Sequence, residues 1–289
     1  MSALTAVPVG APAEIDPFAP AADGVWHGTG VTVRRVAEPL PGGRRLRAQR
    51  RDGRLIVEHH MCAADLCDDL AEVIVAEIGS LEVQADFEEV FTGIVRSAVP
   101  GPLEAWLTFY ANSLRRLEIG AAGFSPVHRY AAGLIRGTRV VDLGSCFGFF
   151  PLRLTARGID VLATDLSAPT MGLLARMGAL LGRPVRTLAC DAVRVPLPDG
   201  CASTVTALHL LEHLAPDDCD AVLDESLRLA RRRVIVAVPF EAEATACYGH
   251  VQRFGRAELD ELAWRLRDRH PHLMVAVSEH HGGWLVADR

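Results

Sequence analysis

The chain has 289 residues, 49% of them hydrophobic, and a net charge of −6 with a pI near 6.0. That length suits one large domain or a domain with an accessory region, and the second arrangement is expected here. The acidic balance argues against a constitutive nucleic-acid binder, which would carry a basic excess or a concentrated basic face.

The first 25 residues hold Pro8, Pro12, Pro17 and Pro20 among alanines, a composition expected to stay a disordered tail over 1–25. They lack the basic start and continuous apolar core of a targeting segment, and no stretch approaches the roughly 18 apolar residues of a membrane span. Seven cysteines, at 62, 67, 146, 190, 201, 219 and 247, are odd in number and never spaced CxxC. They point to reduced thiols, and the expected setting is soluble and cytoplasmic, with no membrane partner.

An accessory region is expected over 26–137. Val31-Thr32-Val33 alternates as a strand, and Arg44–Arg51, Asp52-Gly53 and Leu55-Ile56-Val57 spell a hairpin with a DG turn. The basic run Arg44, Arg45, Arg47, Arg50, Arg51 and Arg54 is expected to form its solvated face rather than an RNA contact. From Ala63 the pattern turns helical. Leu66, Leu70, Val73, Ile74 and Ile78 repeat at helical spacing, followed by Phe87, Val90, Phe91 and Val95, then Leu103, Trp106, Leu107 and Tyr110. Another helix is expected from Pro126 to Ile135.

From Thr138 strands and helices alternate, so 138–289 is expected as an α/β domain. Val140–Leu143, Val161–Thr164, Val185–Ala189, Val205–Leu208 and Val234–Val238 are short apolar runs with helical patterns between most of them. A helix near Arg256–Arg267 precedes Leu273–Val277 and Trp284–Val286, a hairpin that closes one sheet edge. The expected fold class is α/β, a Rossmann-like, doubly wound, mostly parallel seven-stranded sheet with an antiparallel last strand. At its centre, Val140–Leu143 runs into Gly144-Ser145-Cys146-Phe147-Gly148 and then a helix start with Pro151. In such a junction glycines allow close ligand approach, and ligands bind at the carboxyl ends of the strands.

The half of the chain after Thr138 resembles the class I S-adenosylmethionine-dependent methyltransferases. Asp142-Leu143-Gly144-Ser145-Cys146-Phe147-Gly148 looks like that family's first motif, and Asp165-Leu166, ending the second strand, sits where its ribose-binding acid sits. A carboxylate suits that task because it accepts from both ribose hydroxyls. Cys190-Asp191-Ala192 resembles the adenine-edge motif. Pro196–Gly200 with His209-Leu210-Leu211-Glu212-His213-Leu214 resembles the fourth-strand signature, Val238-Pro239-Phe240 the fifth, and Gly249–Phe254 a late Gly-His, basic-aromatic run. The resemblance implies S-adenosylmethionine as cofactor and S-adenosylhomocysteine as product. It implies contacts from Asp142, Gly144, Ser145, Cys146, Gly148, Asp165, Leu166, Asp191, Ala192 and His209. Two departures stand out: Cys146 replaces the motif's middle glycine, and Ala202-Ser203 replaces the usual aromatic-acid pair. More narrowly, Phe87–Gly93, Phe109–Ser113 and Gly144–Phe149 look like the bacterial mycofactocin oligosaccharide methyltransferases, which would imply O-methylation of a glucose hydroxyl on a glycosylated, peptide-derived redox cofactor.

Rival readings lack their signatures. A nicotinamide-type GxGxxG needs glycine at Cys146 and Phe149, and a phosphate loop needs GK[ST]. His209-Leu210-Leu211-Glu212-His213 matches the HxxEH zinc helix, but His209 falls on or just after a strand, so the helix that spacing demands is not expected and no metal ligand is assigned. Methyl transfer from a sulfonium is an in-line displacement helped by alignment and water exclusion. A hydroxyl acceptor also profits from a base, and His209, His213 and His250 are the candidates, while Glu241 could orient a base, accept a substrate hydrogen bond or help hold a divalent cation. Tyr110 and Tyr130 could reach the pocket, and Trp284 is expected to be packing. The substrate expected is a small molecule or saccharide. The alternatives are a non-enzymatic cofactor-binding module and an RNA or protein methyltransferase, the latter lacking an NPPY-like signature. The sequence says nothing of oligomeric state.

Overall fold

A computed structural model of the chain describes residues 15–79, 81 and 84–289. Two sheets organise it. The larger has seven strands: β6 (Arg139–Leu143), β7 (Asp160–Asp165), β8 (Arg186–Ala189), β9 (Ala202–Leu208), β10 (Ala230–Val238), β11 (Met274–Glu279) and β12 (Gly283–Asp288). Their order is β11-β12-β10-β9-β6-β7-β8. Only β12 runs against its neighbours, β10 and β11. The expected Rossmann-like sheet with an antiparallel last strand is therefore present, and the last two strands form the expected edge hairpin.

Both faces of this sheet are covered, which is why its strands are apolar runs rather than alternating ones. Val141, Leu143, Val205, Val234 and Val236 pack under α7 (Pro216–Leu229) and α8 (Arg256–Arg269). On the opposite face Val140, Val161 and Ile235 meet α4 (Ser125–Leu134) and α5 (Phe149–Thr155), while Ala163 meets α6 (Ala168–Leu180). The chain leaves β6 toward β7 and β8 on one side, and later fills β9 and β10 on the other. The crevice between β6 and β9 is thus the switch point where open α/β sheets bind ligands.

The smaller sheet has the order β1-β2-β3-β5-β4, from β1 (Ala21–Ala22), β2 (Val25–His27), β3 (Val31–Arg35), β4 (Leu46–Arg51) and β5 (Arg54–His59). The expected DG hairpin is β4–β5. Helices α1 (Leu70–Ile78), α2 (Gln84–Ala98) and α3 (Pro102–Ile119) follow. A Cβ on Gly93 would come 2.3 Å from Val33, so glycine lets α2 lie directly on β3. Arg47 of the hairpin and Arg34 of β3 fork onto Glu58, with Nε–Oε distances of 2.8 Å each, and Arg50 reaches Asp86, so part of the expected solvated face is ion-paired.

The expected tail over 1–25 needs correction. Residues 1–14 lie outside the described residues, but 15–25 are held in place. Trp106 donates its indole N–H to the Pro17 carbonyl at 2.7 Å, Arg96 donates to the Ala19 carbonyl, and β1 pairs with β2. Proline-rich composition disfavours regular structure by itself, and here the partners come from α2 and α3, about 80 residues away in sequence.

The expected boundary near residue 138 marks a change of topology but not a break in the core. Phe147 and Phe149, from the loop after β6, enter the aromatic cluster of the accessory helices. Phe147 lies 5.4 Å from Phe91 and 5.1 Å from Phe109, centroid to centroid. One hydrophobic core thus runs from Trp26 to Met177. It fixes α2 and α3 over the crevice.

Candidate active site

The loop after β6 is built by three left-handed residues, Gly144 (φ +67°), Cys146 (φ +48°) and Gly148 (φ +70°). Ser145 donates its N–H to the Thr164 carbonyl, and the Cys146 N–H donates to Asp165 Oδ2 at 2.9 Å. The two glycines are required by the protein's own packing. A Cβ at Gly144 would meet Leu210 at 2.7 Å and one at Gly148 would meet Leu174 at 2.3 Å, so what approaches closely is the protein's own side chains.

Asp142 also differs from expectation. It is 3% exposed, and its carboxylate accepts from Thr206 Oγ1 and, at 2.7 Å, from Ser145 Oγ. Burial pushes its pKa up to about 6, against the lowering effect of those two hydroxyls. The carboxylate therefore ties β6 to β9 and shapes the loop instead of facing the cleft. The sequence hid this because Thr206 becomes its neighbour only through the β6–β9 register.

A strip at the carboxyl ends of β7 and β8 is open. Asp165 Oδ1 accepts from the Ser167 N–H at 3.1 Å, and both its oxygens retain a lone-pair direction for a further donor. Leu166 beside it is 76% exposed, unusual for a leucine in a loop that is otherwise anchored. Asp191 uses Oδ1 on the Val193 N–H at 2.9 Å and leaves Oδ2 uncommitted, with Ala192 following. Two carboxylates flanking bare apolar surface fit an adenosine: acceptors for ribose hydroxyls, an acceptor for the exocyclic amine and a leucine for the ring face.

Two residues of the accessory helices reach this loop. Glu88, on α2, has its pKa raised by burial and by the nearby charge of Asp165. The Tyr110 hydroxyl, on α3, is fully buried without a partner, and burial raises its pKa well above 10. Cys146 is exposed as a residue, but its thiol is hemmed in, and desolvation followed by the charge of Asp165 pushes its pKa up to about 12. It is a neutral thiol, not a nucleophile. Glu88 could not be singled out from sequence, since it sits among Phe87, Val90 and Phe91 on an ordinary amphipathic helix.

The third group lies at the carboxyl ends of β9 and β10. His209 has φ +56° and donates its N–H to the Ala237 carbonyl, so no helix runs through 209–213, and only Leu211–His213 form a single 3-10 turn. His209 and His213 do not share a helical face. His209 Nδ1 lies 3.2 Å from Glu212 Oε1, its Nε2 is buried without a partner, and Phe124 packs edge-on at 5.0 Å. His213 meets His250 at 4.9 Å between centroids, and burial lowers its pKa. His250 Nδ1 is 2.8 Å from Glu241 Oε2, and Thr245 donates to the other Glu241 oxygen at 3.0 Å. All four expected catalytic residues thus fall in one polar cluster, together with Glu212. Tyr130 does not join it: it stacks on His280 and packs edge-on against Trp284, which is buried as expected. Tyr110 is aromatic core apart from its hydroxyl.

Residues 141–238 match the methyltransferase domain family. The chain is 30% identical over 118 residues to a demethylmenaquinone methyltransferase of Thermus thermophilus, covering 40% of this chain and 53% of that one. It is 32% identical over 170 residues to a demethylmenaquinone methyltransferase of Beutenbergia cavernae, covering 53% of this chain and 68% of that one. It therefore spans about half the length of the first relative and about two thirds of the second. Among solved structures, magnesium protoporphyrin IX methyltransferase from Synechocystis with bound S-adenosylmethionine is similar at 18% identity and a TM-score of 0.43, over 65% of this chain and 83% of that one. Among the described residues no helix is long and apolar enough to cross a membrane. The chain belongs to the S-adenosylmethionine-dependent methyltransferases.

Proposed function

We propose that the protein transfers the methyl group of S-adenosylmethionine to a hydroxyl of a small molecule. The observation that carries this reading is the pairing of two unlike surfaces across the β6–β9 crevice. On one side lies the Asp165-Leu166 and Asp191 strip, suited to adenosine. On the other lies a cluster of His209, His213, His250 and Glu241, suited to handling a hydroxyl proton.

The cofactor, when bound, supplies an electrophilic methyl group on a sulfonium. Asp165 would accept from the ribose hydroxyls, Asp191 from the adenine amine, and Leu166 would cover the ring. Gly144, Ser145, Cys146 and Gly148 would form the floor through backbone shape, with Asp142 holding that shape from beneath. Glu88 would place a negative charge near the cofactor's cationic part. His209, whose Nε2 has no partner and whose Nδ1 faces Glu212, is the residue we assign to accept the acceptor's proton. The roof of α2 and α3 would keep water from the reacting atoms and select the acceptor, with residues 26–137 as the selecting region.

A narrower form of the proposal is a saccharide hydroxyl, such as a glucose of the mycofactocin oligosaccharide, for which the support is the resemblance of Phe87–Gly93, Phe109–Ser113 and Gly144–Phe149. A second reading is a demethylmenaquinone acceptor, supported by the 32% identity to a relative of that name. Calorimetry with S-adenosylhomocysteine is the first test. Micromolar or tighter binding, abolished in Asp165→Ala, is expected, and absent binding by the folded wild type would refute the proposal. Labelled methyl transfer to fractionated extract then separates saccharide, quinone, RNA and protein acceptors. Binding with no transfer to any fraction would leave a non-enzymatic module.

A further inference from the structure

The Glu212 carboxylate is 1% exposed, and although His209 Nδ1 lies 3.2 Å from Oε1, neither oxygen has a well-formed hydrogen bond among the described residues. A buried carboxylate without a counter-charge is costly, and proteins normally pair it, protonate it or place it on a metal ion. No arginine bridges to it, and the chain contains no lysine. What surrounds it is imidazole.

Glu212, His213 and His250 each offer one ligand atom, and these atoms lie within 4.8 Å of one another. Three ligands on one zinc-sized ion sit roughly 3 to 4 Å apart, so side-chain adjustments of about an ångström would close the set. The surroundings are those of a metal site rather than of a chance cluster. Glu241 takes the Nδ1 side of His250 at 2.8 Å and is itself oriented by Thr245, leaving Nε2 as the free ring nitrogen. A carboxylate behind a ligating histidine fixes its tautomer and raises its basicity. The two chain segments are clamped together as well. The Val251 N–H donates to the Glu212 carbonyl at 2.9 Å, and Gln252 Nε2 donates to the carbonyls of Leu211 and Leu214 at 3.1 and 2.6 Å.

We propose that Glu212, His213 and His250 bind one divalent transition-metal cation of the zinc or manganese class, with Glu241 as the positioning residue behind His250. Two imidazoles and one carboxylate leave coordination positions open, as catalytic rather than structural sites do. His209 Nδ1 lies 3.2 Å from Glu212 Oε1, so a cation held there would be near the assigned base and able to take an acceptor oxygen and lower the pKa of its proton. That role rests on the methyltransferase reading above, whereas the binding itself does not. No continuous helix runs through HxxEH, as expected from the strand before it, and the proposed set draws instead on Glu212 and His213 with His250, from the loop after β10.

The test uses the full chain stripped with chelator and titrated with Zn²⁺, Mn²⁺ or Co²⁺ alone, in parallel with S-adenosylhomocysteine calorimetry. One ion per chain is expected, with visible Co²⁺ absorption bands characteristic of nitrogen ligation. Affinity should fall at least about 100-fold in His213→Ala with His250→Ala, and about 10- to 100-fold in Glu241→Gln. Substoichiometric binding by the wild type, or equal binding by the double variant, would overturn the proposal. The Co²⁺ spectrum of the wild type needs no variant to fold. Metal binding without S-adenosylhomocysteine binding would leave this site standing and refute the cofactor reading.

Discussion

Cys146 holds a backbone conformation that its side chain disfavours, and replacing it by glycine should stabilise the protein. Its φ of +48° lies in the left-handed region, which costs an L-residue about 1–2 kcal/mol. Glycine removes that strain but gives back about 0.5–1 kcal/mol through the entropy of the unfolded chain. The N–H that donates to Asp165 Oδ2 is kept, and whatever packing goes with the hemmed-in thiol is lost equally in an alanine variant. The net gain over the alanine variant is about 0.5–1 kcal/mol, or about 1–3 °C in Tm for a chain of this size. Urea unfolding of wild type, Cys146→Gly and Cys146→Ala, read by midpoint at constant slope, separates the contributions. Alanine keeps the strain and loses only the sulfur, so it should be no more stable than wild type. A glycine variant no more stable than the alanine variant would refute the strain argument. A fall in the glycine variant's affinity for S-adenosylhomocysteine of more than about tenfold would show that the sulfur contacts the cofactor directly.

Other residues give separable tests. Leu166→Ala should weaken S-adenosylhomocysteine binding about fivefold, since roughly 1 kcal/mol of apolar contact is lost, while thermal stability stays within about 0.5 kcal/mol because the residue is 76% exposed. Unchanged affinity would remove Leu166 from the adenine site. Glu58, 3% exposed, is gripped first by Arg47 and then by Arg34, which together hold its pKa below the ordinary 4.5 despite opposing desolvation. Its folded value is depressed, so its contribution is fully present above the ordinary carboxylate range and is lost as pH falls through the lower folded value. Glu58→Gln should therefore cost about 1–2 kcal/mol at pH 7, discounted for half-exposed arginines, and nothing at the bottom of that window. A cost independent of pH, measured by denaturant titration, would contradict the sign.

The larger sheet was legible because its signal is local. Buried parallel strands must be apolar on both faces, so Val140–Leu143, Val161–Thr164 and Val234–Val238 announce themselves, and helical periodicity fills the gaps. Asp165, Leu166 and Asp191 were legible for a related reason: each lies at or within two residues of a strand's carboxyl end, and in this topology strand ends are where ligands bind. What sequence could not supply is every relation that depends on register or on long-range packing. Asp142 turns inward because β9 sets Thr206 opposite it, and Gly144 and Gly148 make room for Leu210 and Leu174. Residues 15–25 are ordered by hydrogen bonds to α2 and α3 that no local propensity encodes.

The same division runs through the histidine cluster. His209, Glu212 and His213 stand together in sequence, and a periodic reading could only ask whether they share a helix. The left-handed turn at His209 breaks that helix, and the loop after β10 brings His250 and Glu241 to the remaining pair. The succession of strands and the carboxylates that stand at their ends follow from local pattern in the chain. The direction each side chain faces, and hence which carboxylate is structural and which histidines meet, is decided only by strand register and by the packing of distant segments into one core.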